Sequence, residues 1–230
     1  METQLQVIRH SDNAKAMTEE EIPEYNIFMM CERLNDNALT ELKNDFYFRN
    51  CRPDELELWK AFPFDSERVP SEYEDFMNQI IKDSYSGMMD TFFRNTLFAC
   101  TNEGKPIATC SYWKAYGKIN SIHWLKTIKA YEGRGIGRAI LSEILRRFDS
   151  TDYPIYIHTQ PGSFRAIKLY SDVGFQLLQG GQFGTRTNEL GKCLPILRQF
   201  MPKKDFDNLR IVDTPDSVMK LLAHETTIQF

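Results

Sequence analysis

The chain reads as an α/β domain with a mixed, mainly antiparallel sheet of about six to seven strands flanked by helices. Three observations predict this class. Short apolar runs bounded by turn residues recur along the chain, three of them sit close enough together to form an antiparallel meander, and helical spacing alternates with strands after it.

Taken in order, residues 1–24 are polar and acidic around "TEEEIPE" and read as a surface extension. "YNIFMMCERL" and "FYFRNCRP" follow as short strands, separated by polar "NDNALTELKND" and closed by a proline. "DELELWKAF" predicts a short helix. "SEYEDFMNQIIKDSYSGMM" predicts a longer one, with Phe76, Ile80, Tyr85 and Met88 as its apolar positions. The meander is "TLFACT", "IATCSYWKA" and "NSIHWLKTI", joined by "NEGKP" and "YGK". Beyond it, a glycine stretch opens a helix burying Ile136, Ile140 and Ile144 with Leu141, Leu145 and Phe148, leaving Arg138, Arg146 and Arg147 for water. "PIYIHT" is a strand, "SFRAIKLYSDV" a helix stopped by Gly174, and "FQLL" a strand. In the tail, "NELGKCLPILRQFM" has helical spacing interrupted by Pro195, "LRIVD" returns as a strand, and "DSVMKLLAH" is a last helix. The organisation expected is one domain overall: a domain over residues 46–230 with a C-terminal helical extension, preceded by an extension over residues 1–45 that holds a first strand.

Composition narrows the function. Hydrophobic residues make up 42% of the 230 and aromatics 13%, enough to bury a core. Against 32 acidic residues stand 28 basic ones, a net charge of −4, which argues against a nucleic-acid surface built on phosphate neutralisation. No apolar run approaches the roughly 20 residues that span a bilayer, and the start has no apolar stretch of signal-peptide length, so no membrane partner is expected. Five scattered cysteines without CxxC spacing offer no metal site and fit a reducing cytoplasm.

The most informative stretch is "YEGRGIGRAIL", Tyr131 to Leu141, with glycine at every second position before a helix. It is no P-loop, which needs GxxxxGK[ST]. It is no dinucleotide fingerprint either, because Arg138 and Ile140 stand where a third glycine would be required. What remains is a strand, a loop without β-carbons and a helix N-terminus, whose unpaired N–H groups and positive dipole end suit an anion. From Lys126 to Arg147 six basic residues oppose two acidic ones, a local +4 that suits phosphates. The alternative reading is that the glycines only permit tight strand-to-helix packing.

Glu132-Gly133-Arg134-Gly135-Ile136-Gly137 resembles the acetyl-CoA loop of GNAT-superfamily N-acetyltransferases, Q/R-x-x-G-x-G/A, with Glu132 in place of Gln or Arg. Further on, "SFRAIKLYSDVGF" resembles the family's N-x-x-A-x-x-x-Y-x-x-x-G-F segment, with Ala166, Tyr170, Gly174 and Phe175 in place and Ser163 where asparagine is usual. The likeness covers residues 46–180. It implies a sheet splayed between the strands ending near Thr127 and Thr159, and acetyl-CoA as co-substrate without a metal. It also implies a pyrophosphate held by the amides from Gly133 to Arg138, and a pantetheine arm paired with the backbone of Thr127. Glu132, Ser163 and Ala166 complete the cofactor-binding set.

Acetyl transfer from a thioester to an amine needs a clamp, a neutral amine, oxyanion stabilisation and a proton for the thiolate. By the resemblance, Tyr170 is the proton donor; its other reading is a core tyrosine beside Phe175. His123 is the candidate proton acceptor, since alternation sets Ser121, His123, Leu125 and Thr127 on one face. Its other reading is a structural histidine. His158, His10 and His224 receive no role. The expected activity is N-acetylation of a primary amine on a small molecule or peptide by direct attack in a ternary complex. The alternatives are a non-catalytic acetyl-CoA binding module, or an interaction protein whose residues 1–45 and tail cover the acceptor cleft or form a homodimer surface.

Overall fold

The computed structural model describes residues 17–229. Its strands are β1 (Ile27–Cys31), β2 (Phe46–Asn50), β3 (Thr96–Thr101), β4 (Pro106–Ala115), β5 (Ile119–Thr127), β6 (Ile155–Thr159), β7 (Gln176–Gln179), the short β8 (Gln182–Phe183) and β9 (Arg186–Thr187), and β10 (Ile211–Asp213). The helices are α1 (Leu56–Ala61), α2 (Glu74–Ile80), α3 (Met89–Asn95), α4 (Ile136–Leu145), α5 (Phe164–Asp172), α6 (Leu190–Phe200), α7 (Lys203–Asp207) and α8 (Asp216–Leu222).

Eight strands form one sheet in the order β10-β7-β1-β6-β5-β4-β3-β2, and β8 and β9 form a separate hairpin. Only β5–β6 and β7–β10 run parallel. The first strand lies inside the sheet: β1 is antiparallel to β6 along five residue pairs and to β7 on its other side. All five of its residues are buried, as a strand covered on both faces requires.

Each face of the sheet carries its own core. On one, Ile136, Ile140, Leu141, Ile144 and Leu145 of α4 meet Ile167 of α5, Leu190, Cys193 and Leu197 of α6, and Ile27, Met29, Ile155 and Ile157 of the sheet. Each such aliphatic side chain contributes about 1.5–3 kcal/mol on burial. On the other, Trp59, Met77 and Phe92 of α1–α3 and Val218 and Leu222 of α8 meet Phe28, Met30, Phe98, Trp113 and Tyr156.

The long helix expected before Thr96 is broken. After α2 the chain makes one π-helical turn, Ile81–Tyr85, then turns at Gly87 with φ +79° and starts α3. Met77 and Tyr85 are buried while Phe76 and Met88 are exposed, so the buried face is not the stripe read from the sequence. In the tail, α6 runs through Pro195 without ending there. Gly174 stops α5 as expected, and its φ of +114° and a carbonyl of Arg33 that would lie 2.6 Å from a β-carbon leave no other residue at that site. Among the described residues no helix is long and apolar enough to cross a membrane, and no group of three His, Cys, Asp or Glu could hold a metal ion.

Candidate acetyl-transfer site

Between the parallel neighbours β5 and β6 only Asn120–Ile155 and Ser121–Tyr156 are paired. Beyond them β6 stays with β1 through Thr159 and β5 stays with β4 through Thr127. The two strands therefore diverge, leaving facing strand edges without ladder partners.

The glycine loop lies just past the end of β5. Gly133 and Gly135 have φ of +73° and +83°, the left-handed region that side chains rarely adopt, and Gly135 caps α4. The first backbone bond into α4 runs from Ala139 N–H to the Gly135 carbonyl. From Gly133 to Arg138, six consecutive N–H groups have no backbone acceptor among the described residues. Above Gly133 and Gly135 a β-carbon would meet nothing within 4 Å, whereas at Gly137 it would stand 3.2 Å from the Thr127 hydroxyl. A cavity of about 300 Å³ adjoins the loop, lined by Arg134, Gly135, Ile136 and Arg138 and roofed by Thr40 to Lys43 and Phe46. That roof is tied down by the Thr40 N–H on Ser142 Oγ at 3.0 Å and the Arg146–Glu41 ion pair at 2.7 Å. No sequence signal assigned these residues to the loop.

The basic surplus around the loop is smaller than its count. Lys126 pairs with Asp65 at 2.7 Å, Arg138 with Asp172, and Arg147 with Glu143 at 3.7 Å. Asp65 and Asp172 come from distant segments, so the window from Lys126 to Arg147 did not contain them. Arg134 lies over the Tyr131 ring, 5.0 Å from its centre, at the mouth of the loop, and Glu132 is exposed beside it. Ser163 precedes α5 and is exposed, with Ala166 one turn further on and half-buried.

Tyr170 packs on the α4 face, 6.0 Å from the Phe175 ring. It is 6% exposed, and burial pushes its pKa well above the usual tyrosine value. Its hydroxyl has no hydrogen-bond partner among the described residues, an arrangement that suits a ligand atom better than a core contact.

One expected alternation fails. Between Ser111–His123 and Thr109–Lys126, the two residues Trp124 and Leu125 oppose the single Cys110, and Trp124 adopts φ +55°. This β-bulge turns the strand over. His123 and Trp124 both face the α1–α3 side, while Leu125 joins the α4 side, where Thr127 meets Gly137. His123 and Thr127 thus lie on opposite faces of the splayed strand.

Both ring nitrogens of His123 are engaged, and the chain of donors fixes its tautomer. Ser121 Oγ donates to the Trp113 carbonyl at 2.9 Å, so it accepts from His123 Nε2–H at 2.9 Å. Nδ1 then accepts from the Tyr85 hydroxyl at 2.8 Å, whose oxygen takes the Trp124 indole N–H at 3.1 Å. Burial first, and Arg186 second, hold the His123 pKa down to about 3. An inflection near 6.5, the value for an unperturbed ring, does not fit these surroundings.

His158, given no role from the sequence, sits two residues beyond the last β5–β6 pair and faces the same side as His123. Its Nε2 lies 2.9 Å from Asn26 Oδ1, and Arg186 NH1 approaches both of its ring nitrogens, Nδ1 at 2.9 Å and Nε2 at 2.8 Å. Burial, Arg186 and His123 together lower its pKa to about 3. Arg186 and Tyr85 were also missed: the first lies in a hairpin too short to show alternation, and the second was read as one position on a helix stripe.

The model of the Acetyltransferase (GNAT) family matches residues 53–175, more than half of the chain, and the protein belongs to that family. Among solved structures it is similar to a Drosophila protein (18% identity, 67% of this chain and 48% of that chain, TM-score 0.45). It is also similar to a GCN5-related N-acetyltransferase from Sphaerobacter thermophilus (20%, 60% and 43%, 0.42) and a GNAT-family acetyltransferase from Colwellia psychrerythraea (13%, 68% and 53%, 0.47). The chain spans about half or less of the length of these structures. No curated protein matches it.

Proposed function

We propose that the protein transfers an acetyl group from acetyl-CoA to a primary amine within a ternary complex. The observation that carries this reading is the run of six amides from Gly133 to Arg138 without a backbone acceptor among the described residues, opening beside a cavity and next to the splay of β5 and β6. The residues fit the co-substrate: glycine supplies the left-handed turns, the α4 N-terminus favours a pyrophosphate, and the unpaired edge of β5 near Thr127 can accept an amide-bearing arm as an added strand. Glu132, Arg134 and Ile136 contribute backbone amides or flank them, and Ser163, just before α5, and Ala166 within it complete the proposed co-substrate set.

In the proposed reaction the amine nitrogen bonds to the thioester carbonyl carbon, the C–S bond breaks, and a backbone N–H on a splayed edge holds the oxyanion. Tyr170 gives its proton to the departing thiolate, and a hydroxyl without a hydrogen-bond partner among the described residues supports that role. His123 takes the amine proton at Nδ1, which requires Nδ1 to part from the Tyr85 hydroxyl and its pKa, held at about 3 by burial, to rise once the amine is bound. A binding module without turnover is the competing reading, favoured by the engagement of both His123 nitrogens.

Release of free thiol from acetyl-CoA, measured over a panel of amines alongside calorimetric acetyl-CoA binding, tests both. Thiol release that depends on an amine is expected. Binding without any release would leave the module.

A further inference from the structure

Arg186 reaches the cleft from the β8–β9 hairpin, which is anchored by Phe183 stacked on Phe28 at 4.2 Å. Its NH1 is taken by His158, with Asn26 Oδ1 at 3.4 Å. The Nε and NH2 edge has no partner, and the guanidinium has no carboxylate partner, among the described residues. Nearby carboxylates are committed elsewhere: Glu189 to Asn26 and Lys192, and Glu225 to Lys118. Half-buried arginine keeps its charge, and burial without a counter-ion is costly. Here burial lowers the Arg186 pKa, and the charge is felt by both cleft histidines.

The arrangement looks built rather than incidental. Asn26 is held by Glu189 through its backbone N–H at 3.1 Å, so Oδ1 faces His158 and Arg186. His158, neutral and donating to Asn26, has both ring nitrogens within 2.9 Å of the Arg186 NH1 nitrogen and so holds that end of the guanidinium. A planar edge with two parallel N–H donors matches a carboxylate.

Resting on the acetyltransferase reading above, we propose that the acceptor amine carries a carboxylate and that Arg186 binds it. The acceptor then belongs to the class of amino acids and related amino-carboxylates. The carboxylate neutralises Arg186 while the amine reaches the cleft between His123 and His158.

The test compares alanine, glutamate and phenylalanine with their carboxamides, and phosphoethanolamine with ethanolamine, by thiol release from acetyl-CoA. The expected kcat/KM favours at least one amino acid over its carboxamide by about tenfold to a hundredfold. In Arg186→Gln that ratio falls towards one, and Arg186→Lys restores part of it. Binding of the three N-acetyl amino acids and their carboxamides, followed by calorimetry, gives a readout independent of turnover. Equal rates for every acid and carboxamide, or a preference only for phosphoethanolamine, would overturn the carboxylate assignment while leaving the acetyltransferase reading intact. Arg186-dependent binding of an N-acetyl amino acid with no thiol release from any amine would sustain the assignment and sink the activity. Absence of both turnover and binding would sink the two together.

Discussion

Gly137 of α4 stands against Thr127 of β5 so closely that a β-carbon on the glycine would lie 3.2 Å from the threonine hydroxyl. The contact sets the helix N-terminus directly behind the splayed strand. Gly137→Val should therefore push α4 from β5 and weaken acetyl-CoA binding at least tenfold. Gly135→Val has room for its side chain but forces φ of +83° on a β-branched residue, at a cost of about 1–2 kcal/mol. Both variants should stay folded by circular dichroism, and unchanged acetyl-CoA affinity by calorimetry would refute the cradle.

Tyr170→Phe keeps the ring packed beside Phe175 and removes only the hydroxyl, which no described residue engages. Its melting temperature should stay close to that of the wild type. Turnover should fall about tenfold to a thousandfold while acetyl-CoA affinity changes little. Unchanged turnover would make Tyr170 a packing residue.

For His123, a pKa of about 3 keeps the ring neutral across the working range. The kcat/KM profile should rise with pH through deprotonation of the free amine, without an imidazole inflection near 6.5. His123→Gln should lower turnover and leave the shape of that profile unchanged. An inflection near 6.5 that disappears in the variant would mean that the ring titrates in the working enzyme.

Acid should destabilise the protein through the same rings. His123 and His158 have pKa values lowered to about 3, so the unfolded chain binds protons first as pH falls below about 6.5. Their contribution is fully present above that value and is lost progressively as pH falls towards 3, at about 1.4 kcal/mol per pH unit for each ring. Glu55 adds a lower window. Its burial opposes ionisation, but hydrogen bonds from Arg49 and Arg52 prevail and hold its pKa at about 2. Urea midpoints measured from pH 7 to 4 should fall steeply in the wild type and less steeply in His158→Asn. Parallel slopes would show that His158 is not buried neutral.

The sequence by itself determined what depends on neighbours along the chain. The period of Ile136, Ile140 and Ile144 specified a helix with one buried face, the alternating glycines specified a loop without β-carbons ahead of it, and Gly174 specified a stop. Each is a local steric or solvation demand, readable within a few residues. The candidate co-substrate loop was legible for that reason. Tertiary structure alone decided which strands meet, because hydrogen-bonding edges carry no address: β1 entered the sheet between β6 and β7, a place no local pattern marks. It also decided the acceptor side of the cleft. The bulge at Trp124 reversed the faces read from alternation, Asp65 and Asp172 arrived from afar to neutralise the basic window, and the hairpin holding Arg186 brought beside His158 a charge with no carboxylate partner among the described residues. Charges and ring nitrogens act over a few ångströms of space whatever their separation in sequence, so their partners become known only once the chain has folded.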